Sequence, residues 1–359
     1  MKNYVLKKAD RNSFLERLLE GRKVIAPVRE GDHLVYSEIA SADEVVWDGR
    51  NTRQSPKEVF FPHSETLFRF SGDRVLEEDL SANKALTDTE ANAGDGNQRN
   101  AERGPVLWGV RPCDARSFQL LSLVFDRKEF RDPYFSDRRE ATTVVSMACE
   151  KPGPTCFCSS VGGGPVDEAG SDVLGFDLGD RFLLSALTEK GEALLADSGA
   201  LLTEAGEEDL LDQGRLAQEA ISAAQAEVPV AGLKAKLSGM FDHPVWEAIA
   251  NKCLGCGACT FLCPTCHCFD MTDEAVEVEG ERVRTWDSCM FPLFTMHASG
   301  HNPRNSRTER MRQRMLHKFS YTIDNWGETF CVGCGRCVRS CPVNLDIRQV
   351  IRRVWEGEN

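Results

Sequence analysis

Apolar and polar positions along the first two-thirds of the chain follow two periods. Residues 9–20 read as an amphipathic helix, and KVIAPVRE, residues 23–30, as a strand. In PVLWGVRPCDARSFQLLSLVF, residues 105–125, a short apolar strand gives way to a turn holding Cys113 and then to an amphipathic helix opened by Asp114. TTVVSMACEKPGPTCFC, residues 142–158, repeats the theme: a strand ends just before Cys149, and Cys156 and Cys158 follow in the loop. Residues 205–250 are mostly helical in pattern, broken at Pro229. Residues 71–104 are polar, glycine-rich and aperiodic, and read as a surface excursion or a disordered loop. Further on, the alternation in MTDEAVEVEGERVRTWDSC predicts a hairpin turning at Glu279–Gly280 and ending at Cys289.

After HPVWEAIANK the character changes. CLGCGACTFLCPTCHCFD, residues 253–270, holds six cysteines in eighteen residues. Cys253, Cys256, Cys259 and Cys263 with Pro264 match the C-x2-C-x2-C-x3-C-P pattern of a cubane iron–sulfur site. CVGCGRCVRSCP repeats it with Cys331, Cys334, Cys337, Cys341 and Pro342. Three thiolates from one tight loop can grip one face of a cubane, while the fourth cysteine leads away to the partner cluster. On that rule one [4Fe-4S] cluster takes Cys253, Cys256, Cys259 and Cys341, and the other takes Cys331, Cys334, Cys337 and Cys263. Gly255, Gly257, Gly333 and Gly335 lie between ligands, where the backbone turns sharply beside the sulfurs. Arg336, Arg339 and Lys252 flank them, either as counter-charges or as ordinary solvated surface.

Composition narrows the function. The 359 residues are long for one core, so two domains are expected: an N-terminal α/β domain over 1–240 and a two-cluster ferredoxin-like domain over 241–359, with an insertion at about 265–328. The fold class is therefore α+β. A net charge of −13 argues against nucleic acid and anionic membranes. There is no apolar run of membrane-spanning length and no signal-peptide h-region, so a cytoplasmic location is expected. Fifteen cysteines without an export signal point to metal or cluster ligation rather than disulfides. Zinc is the bland alternative, but zinc sites usually pair their cysteines across a longer spacer.

Cys113, Cys149, Cys156 and Cys158 leave strand ends or share a loop, and binding sites of α/β sheets favour those ends. They are candidates for a third cluster, with buried free thiols as the alternative. The segment RNSRTERMRQRMLHK is a basic helix on an acidic protein, with six Arg or Lys from Arg304 to Lys318 against one acid, Glu309. It reads as a solvated face or as a docking face for an acidic partner. There is no Gly-rich strand–turn–helix fingerprint for NAD or flavin (GGGP at 162–165 is a turn), no Ser–His–Asp arrangement and no phosphate loop.

FFPHSETLFRF (60–70), GVRPCDAR (109–116), TCFC (155–158), the first cysteine motif with its lead-in, WDSC (286–289), GHNPR (300–304) and CVGCGRCVRSCP together carry a resemblance over almost the whole chain. The chain resembles the iron–sulfur β subunit of cytoplasmic nickel–iron sulfhydrogenases and the related iron–sulfur subunit of anaerobic sulfite reductase. Similar subunits occur in flavin oxidoreductase modules that partner heterodisulfide reductase. The resemblance implies an electron-transfer protein with at least two [4Fe-4S] clusters, working in anaerobic metabolism. It would stand between two partners. One is a catalytic oxidoreductase subunit of hydrogenase, sulfite reductase or heterodisulfide reductase type, and the other is a flavin/NAD(P)-binding subunit. Cys266, Cys268 and Cys289 fall in family-like contexts outside the two motifs. With His301 they form a candidate fourth set; the alternative is that they pack beside the first two clusters. Competing readings are a self-contained iron–sulfur reductase working at an additional cluster, and a zinc-bearing scaffold.

Overall fold

The alternation in PVLWGV sends Val106 and Trp108 into one core and Leu107 and Val110 into another, as a strand covered on both faces requires. In the computed structural model, which describes residues 2–48, 51–76, 103–224 and 228–357, this strand lies near the middle of a mixed sheet. The first strands in chain order are β1 (Lys2–Lys7), β2 (Val24–Glu30), β3 (His33–Glu38), β4 (Ser64–Ser71), β5 (Arg74–Leu76) and β6 (Val106–Val110). Then come β7 (Thr143–Met147), β8 (Val173–Asp177), β9 (Arg181–Ala186), β10 (Leu202–Glu204), β11 (Phe269–Val276) and β12 (Glu279–Trp286). The large sheet runs β10-β1-β9-β8-β7-β6-β2-β3. Its centre, β2, β6, β7 and β8, is parallel, and its flanks are antiparallel. Helices and strands mix as the α+β reading expects. The opening strand β1 escaped that reading, because its lysines hide a short alternation in which only Val5 and Leu6 are buried.

The helix Pro112–Phe125 begins directly after β6, with Arg111 extended at its N-cap and Pro112 at its first position. Asp114 therefore does not cap the helix. It lies inside the first turn, fully buried, and turns to Arg336. The segment expected as an excursion at 71–104 supplies the end of β4 and all of β5; residues 77–102 lie outside the described residues.

A second, antiparallel sheet, β11-β12-β4-β5, joins strands from the two ends of the chain. Its hairpin turns at residues 277–278, two positions before the expected Glu279–Gly280. Gly280 pairs with Ala275 inside the ladder, where an added Cβ would stand 2.6 Å from the Phe70 ring. The glycine serves close approach of β4 rather than the turn. Buried charges fasten this sheet: Glu65 on β4 accepts from Arg138 Nη1 at 2.6 Å and from Arg284 Nε at 3.0 Å.

The helix Arg307–Leu316 starts with a reciprocal cap in which Glu309 N–H donates to Ser306 Oγ and Ser306 N–H to Glu309 Oε2. That accounts for the one acid in the basic run. Arg310 and Arg314 are buried, Arg312 stacks 3.6 Å over Phe241, and Arg307 donates to the Cys253 carbonyl. Several side chains of the expected docking or solvated face are thus committed within the chain.

Candidate iron–sulfur centres

The two cysteine motifs fold alike. In each, both glycines take a left-handed backbone: Gly255 and Gly257 at φ 74°, Gly333 at 62° and Gly335 at 74°. The second glycine of each is the N-cap of a four-residue helix, Ala258–Phe261 or Arg336–Arg339, which carries the third cysteine. These two short helices pack against each other, and the fourth cysteine of each motif follows its helix. A side chain at Gly333 would meet the Cys158 backbone at about 2.5 Å, and one at Gly335 would collide with Thr155. Glycine here admits both a tight turn and a neighbouring loop.

The sulfurs assemble across the motifs. Burial raises the Cys253 thiol, and Cys259, Cys256 and Cys341 add to the rise. One cavity is lined by Cys253, Cys256, Cys259 and Cys341, with Cys337 and Arg314 at its inner end. Burial pushes Cys331 and Cys337 each up to about 12, and each also feels the Cys263 sulfur. Cys334 is likewise raised by burial and faces Cys263. Backbone N–H groups point at sulfur as well: Gly255 N to Cys253 Sγ at 3.3 Å and Leu345 N to Cys341 Sγ at 3.2 Å.

Cations lie beneath these thiols. Lys318, only 3% exposed, sits in one turn of π-helix, His317–Tyr321, a distortion often found at functional sites. Its Nζ donates to Cys263 Sγ at 3.2 Å, to Thr265 Oγ1 and to the Phe330 carbonyl. Burial works against its charge, but Cys263, Cys266 and Cys331 outweigh burial and raise its pKa. Arg314 is held protonated by Cys259 and Cys337 against the same burial. Among the described residues no carboxylate forms an ion pair with Lys318 or Arg314. Sequence reading missed both, because neither flanks a cysteine in the chain. Of the flanking cations, Arg336 is fully buried but already paired with Asp114, while Arg339 and Lys252 are exposed.

The N-terminal cysteines gather at the carboxyl ends of β6 and β7. Burial raises Cys149, which feels Cys156, and pushes Cys158 up to about 11, beside Cys156 and Cys149. Cys113, raised well above the usual thiol range by burial, faces Cys334 as well as Cys158. Their loop is sewn to the second motif: Phe157 N–H donates to the Gly333 carbonyl at 2.8 Å, and Cys156 Sγ lies 3.8 Å from the Cys334 carbonyl. A cavity of about 400 Å³ opens beside Cys149 and Cys156, with Trp47, Phe182 and Arg111 in its wall.

Cys266, Cys268 and Cys289 also meet. The Cys266 thiol donates to Cys263 and holds it well below the usual range, and Cys289 donates to Cys268, holding that thiol at about 7. His301 is not brought to them. It lies on an exposed turn, its ring 5.3 Å from that of His297, and its carbonyl accepts from His297 N–H. Glycine and asparagine in GHNP close this turn on itself, away from the hairpin that delivers Cys289.

These donors suit iron–sulfur clusters. A thiolate-ligated cubane is an anion, and buried cations without carboxylate partners, together with N–H groups aimed at sulfur, match it. Zinc would require donors converging on one ion, and among the described residues no three Cys, His, Asp or Glu side chains do so. Residues 252–345 match the family model described as a 4Fe-4S dicluster domain. Sulfhydrogenase 2 subunit beta of Pyrococcus furiosus is 32% identical to the chain over 347 residues, 96% of each protein. The chain belongs to the sulfhydrogenase β subunit family. An iron–sulfur, electron-transfer role follows at that level, and among the described residues no helix is long and apolar enough to cross a membrane.

Replacing Lys318 by Met removes a buried positive charge beside Cys263 and is expected to lower the reduction potential there by on the order of 100 mV. That is the scale set by a unit charge a few ångström away at an effective dielectric near 20. Potentiometric EPR of the variant reads the shift.

Proposed function

We propose that this chain relays single electrons within an oxidoreductase complex of hydrogenase type, between its catalytic subunit and one linked to flavin and NAD(P)H. The observation that carries this reading is the crossed assembly of thiols: Cys341 with the Cys253 loop and Cys263 with the Cys331 loop, over buried cations. Bound there, [4Fe-4S] clusters supply one-electron chemistry. The chain's own residues set distance, shielding and charge. Cys113, Cys149, Cys156 and Cys158 are assigned to a third cluster, abutting the second through Cys334. The three sets then form a line. One end opens at the cavity beside Cys149, and the other at exposed Cys256 and Leu254, which is 62% exposed. Lys318 and Arg314 favour the more negative charge state of the sets they face, and Arg336–Asp114 fixes the seam between the N-terminal and second sets.

A second reading is favoured by the cavity alone: its size and its two thiols would suit a reductase site in this chain itself. One experiment separates the two. The isolated chain, given an artificial electron donor, is expected to reduce none of sulfite, disulfides and protons, yet to accept electrons from NAD(P)H once combined with its flavin partner. Turnover by the isolated chain that vanishes in Cys149→Ser would favour the reductase.

A further inference from the structure

The chain carries one short pattern twice: Pro154-Thr155-Cys156-Phe157-Cys158 and Pro264-Thr265-Cys266-His267-Cys268. Both copies pack against the same loop, the one that bears Cys331, Cys334 and Cys337. The first donates Phe157 N–H to Gly333, and the second donates Thr265 Oγ1–H to the Phe330 carbonyl at 2.7 Å. In each copy the residue between the cysteines is an inward ring. Phe157 is buried, and His267 packs against Phe330 and Phe125. The ring on one side of the extended backbone leaves the two flanking cysteines on the other.

We propose that Cys266, Cys268 and Cys289 hold an iron–sulfur cluster of their own through three protein thiolates, with Lys57 as its counter-charge. Strand β12 delivers the third thiol. Phe269 pairs with Trp286 at the open end of the hairpin, and Asp287 N–H donates to the Cys268 carbonyl at 2.9 Å, which sets Cys289 against Cys268. Cys263 adjoins the group but belongs to the second set, so three protein thiolates remain.

The independent observation is Lys57. It arrives from a distant part of the sequence, is 2% exposed, and has no carboxylate in ion-pair distance among the described residues. Its Nζ donates to the Cys266 carbonyl at 2.8 Å and lies 3.8 Å over the Trp286 ring. A carbonyl and a π face offset only part of the cost of burying an ammonium group. An anionic cluster on the three thiolates would supply the missing charge. Lys318 performs the same service for Cys263, so each site has its own lysine.

This inference rests on the relay reading and adds a branch at the second set, flanked on its two sides by the repeated loops. The test uses the full chain, purified anaerobically, with iron and acid-labile sulfide counted and EPR recorded as isolated and reduced. Cys289→Ser and Cys268→Ser are each expected to lose about three or four irons and one EPR signal, with the dicluster signals intact. Lys57→Met is expected to keep its iron and to lower the midpoint potential of that one signal. Full iron in both cysteine variants, or potentials unmoved by Lys57→Met, would overturn the proposal. Cys337→Ser is the control. If it loses iron while Cys289→Ser does not, only this inference fails; if neither loses iron, the relay reading fails with it.

Discussion

Cys341→Ser is expected to remove the cluster of the Cys253 loop, not that of its own loop. The cavity that Cys341 lines is shared with Cys253, Cys256 and Cys259, and Cys331, Cys334 and Cys337 face Cys263 instead. A pair of double variants makes the crossing measurable. Cys341→Ser combined with Cys256→Ser strikes one site twice, so it should lose about four irons, no more than either single variant. Cys341→Ser combined with Cys334→Ser strikes two sites and should lose about eight. The reverse pattern would mean that each motif keeps its own four cysteines.

The second large effect concerns stability. Asp114 and Arg336 are both fully buried, and the carboxylate takes both ends of the guanidinium, at 2.6 and 2.7 Å. Arg336 also donates to the Thr52 carbonyl and hydroxyl. Asp114→Ala leaves that guanidinium charged, buried and unpaired, which typically costs about 3–5 kcal/mol. Urea unfolding of the anaerobic protein should show the loss. Cys113 precedes Asp114 and Cys334 lies near Arg336, so the variant should also disturb the N-terminal set before the first one. A variant as stable as the parent would mean that the seam between the N-terminal sheet and the second motif is held elsewhere.

The cysteine motifs were legible because spacing within one tight loop is a local property, readable without any fold. The parallel strands β6 and β7 were legible for a similar reason: each is a short apolar run ending in a turn. What escaped reading is long-range. Lys57 and Lys318 look like surface lysines in sequence, and only packing reveals that thiols surround them. Glu65, lone in FFPHSETLFRF, joins two arginines far along the chain. The hairpin was found but its turn was misplaced, since Gly280 reads as a turn residue until the approach of Phe70 is known. His301 seemed to complete a ligand set by residue type; the local turn against His297 keeps it apart. Asp114 had the composition of a cap and the environment of a buried counter-ion.

The account stands on the thiols holding iron rather than another metal, and one measurement tests that most directly. Iron, zinc and acid-labile sulfide would be determined per chain on anaerobically purified protein, alongside EPR of the reduced form. The relay predicts matching iron and sulfide, with about four of each for every set filled and about eight as the least for the two motifs, and EPR signals of reduced [4Fe-4S] clusters. Zinc in stoichiometric amount, with little iron and no labile sulfide, would contradict it.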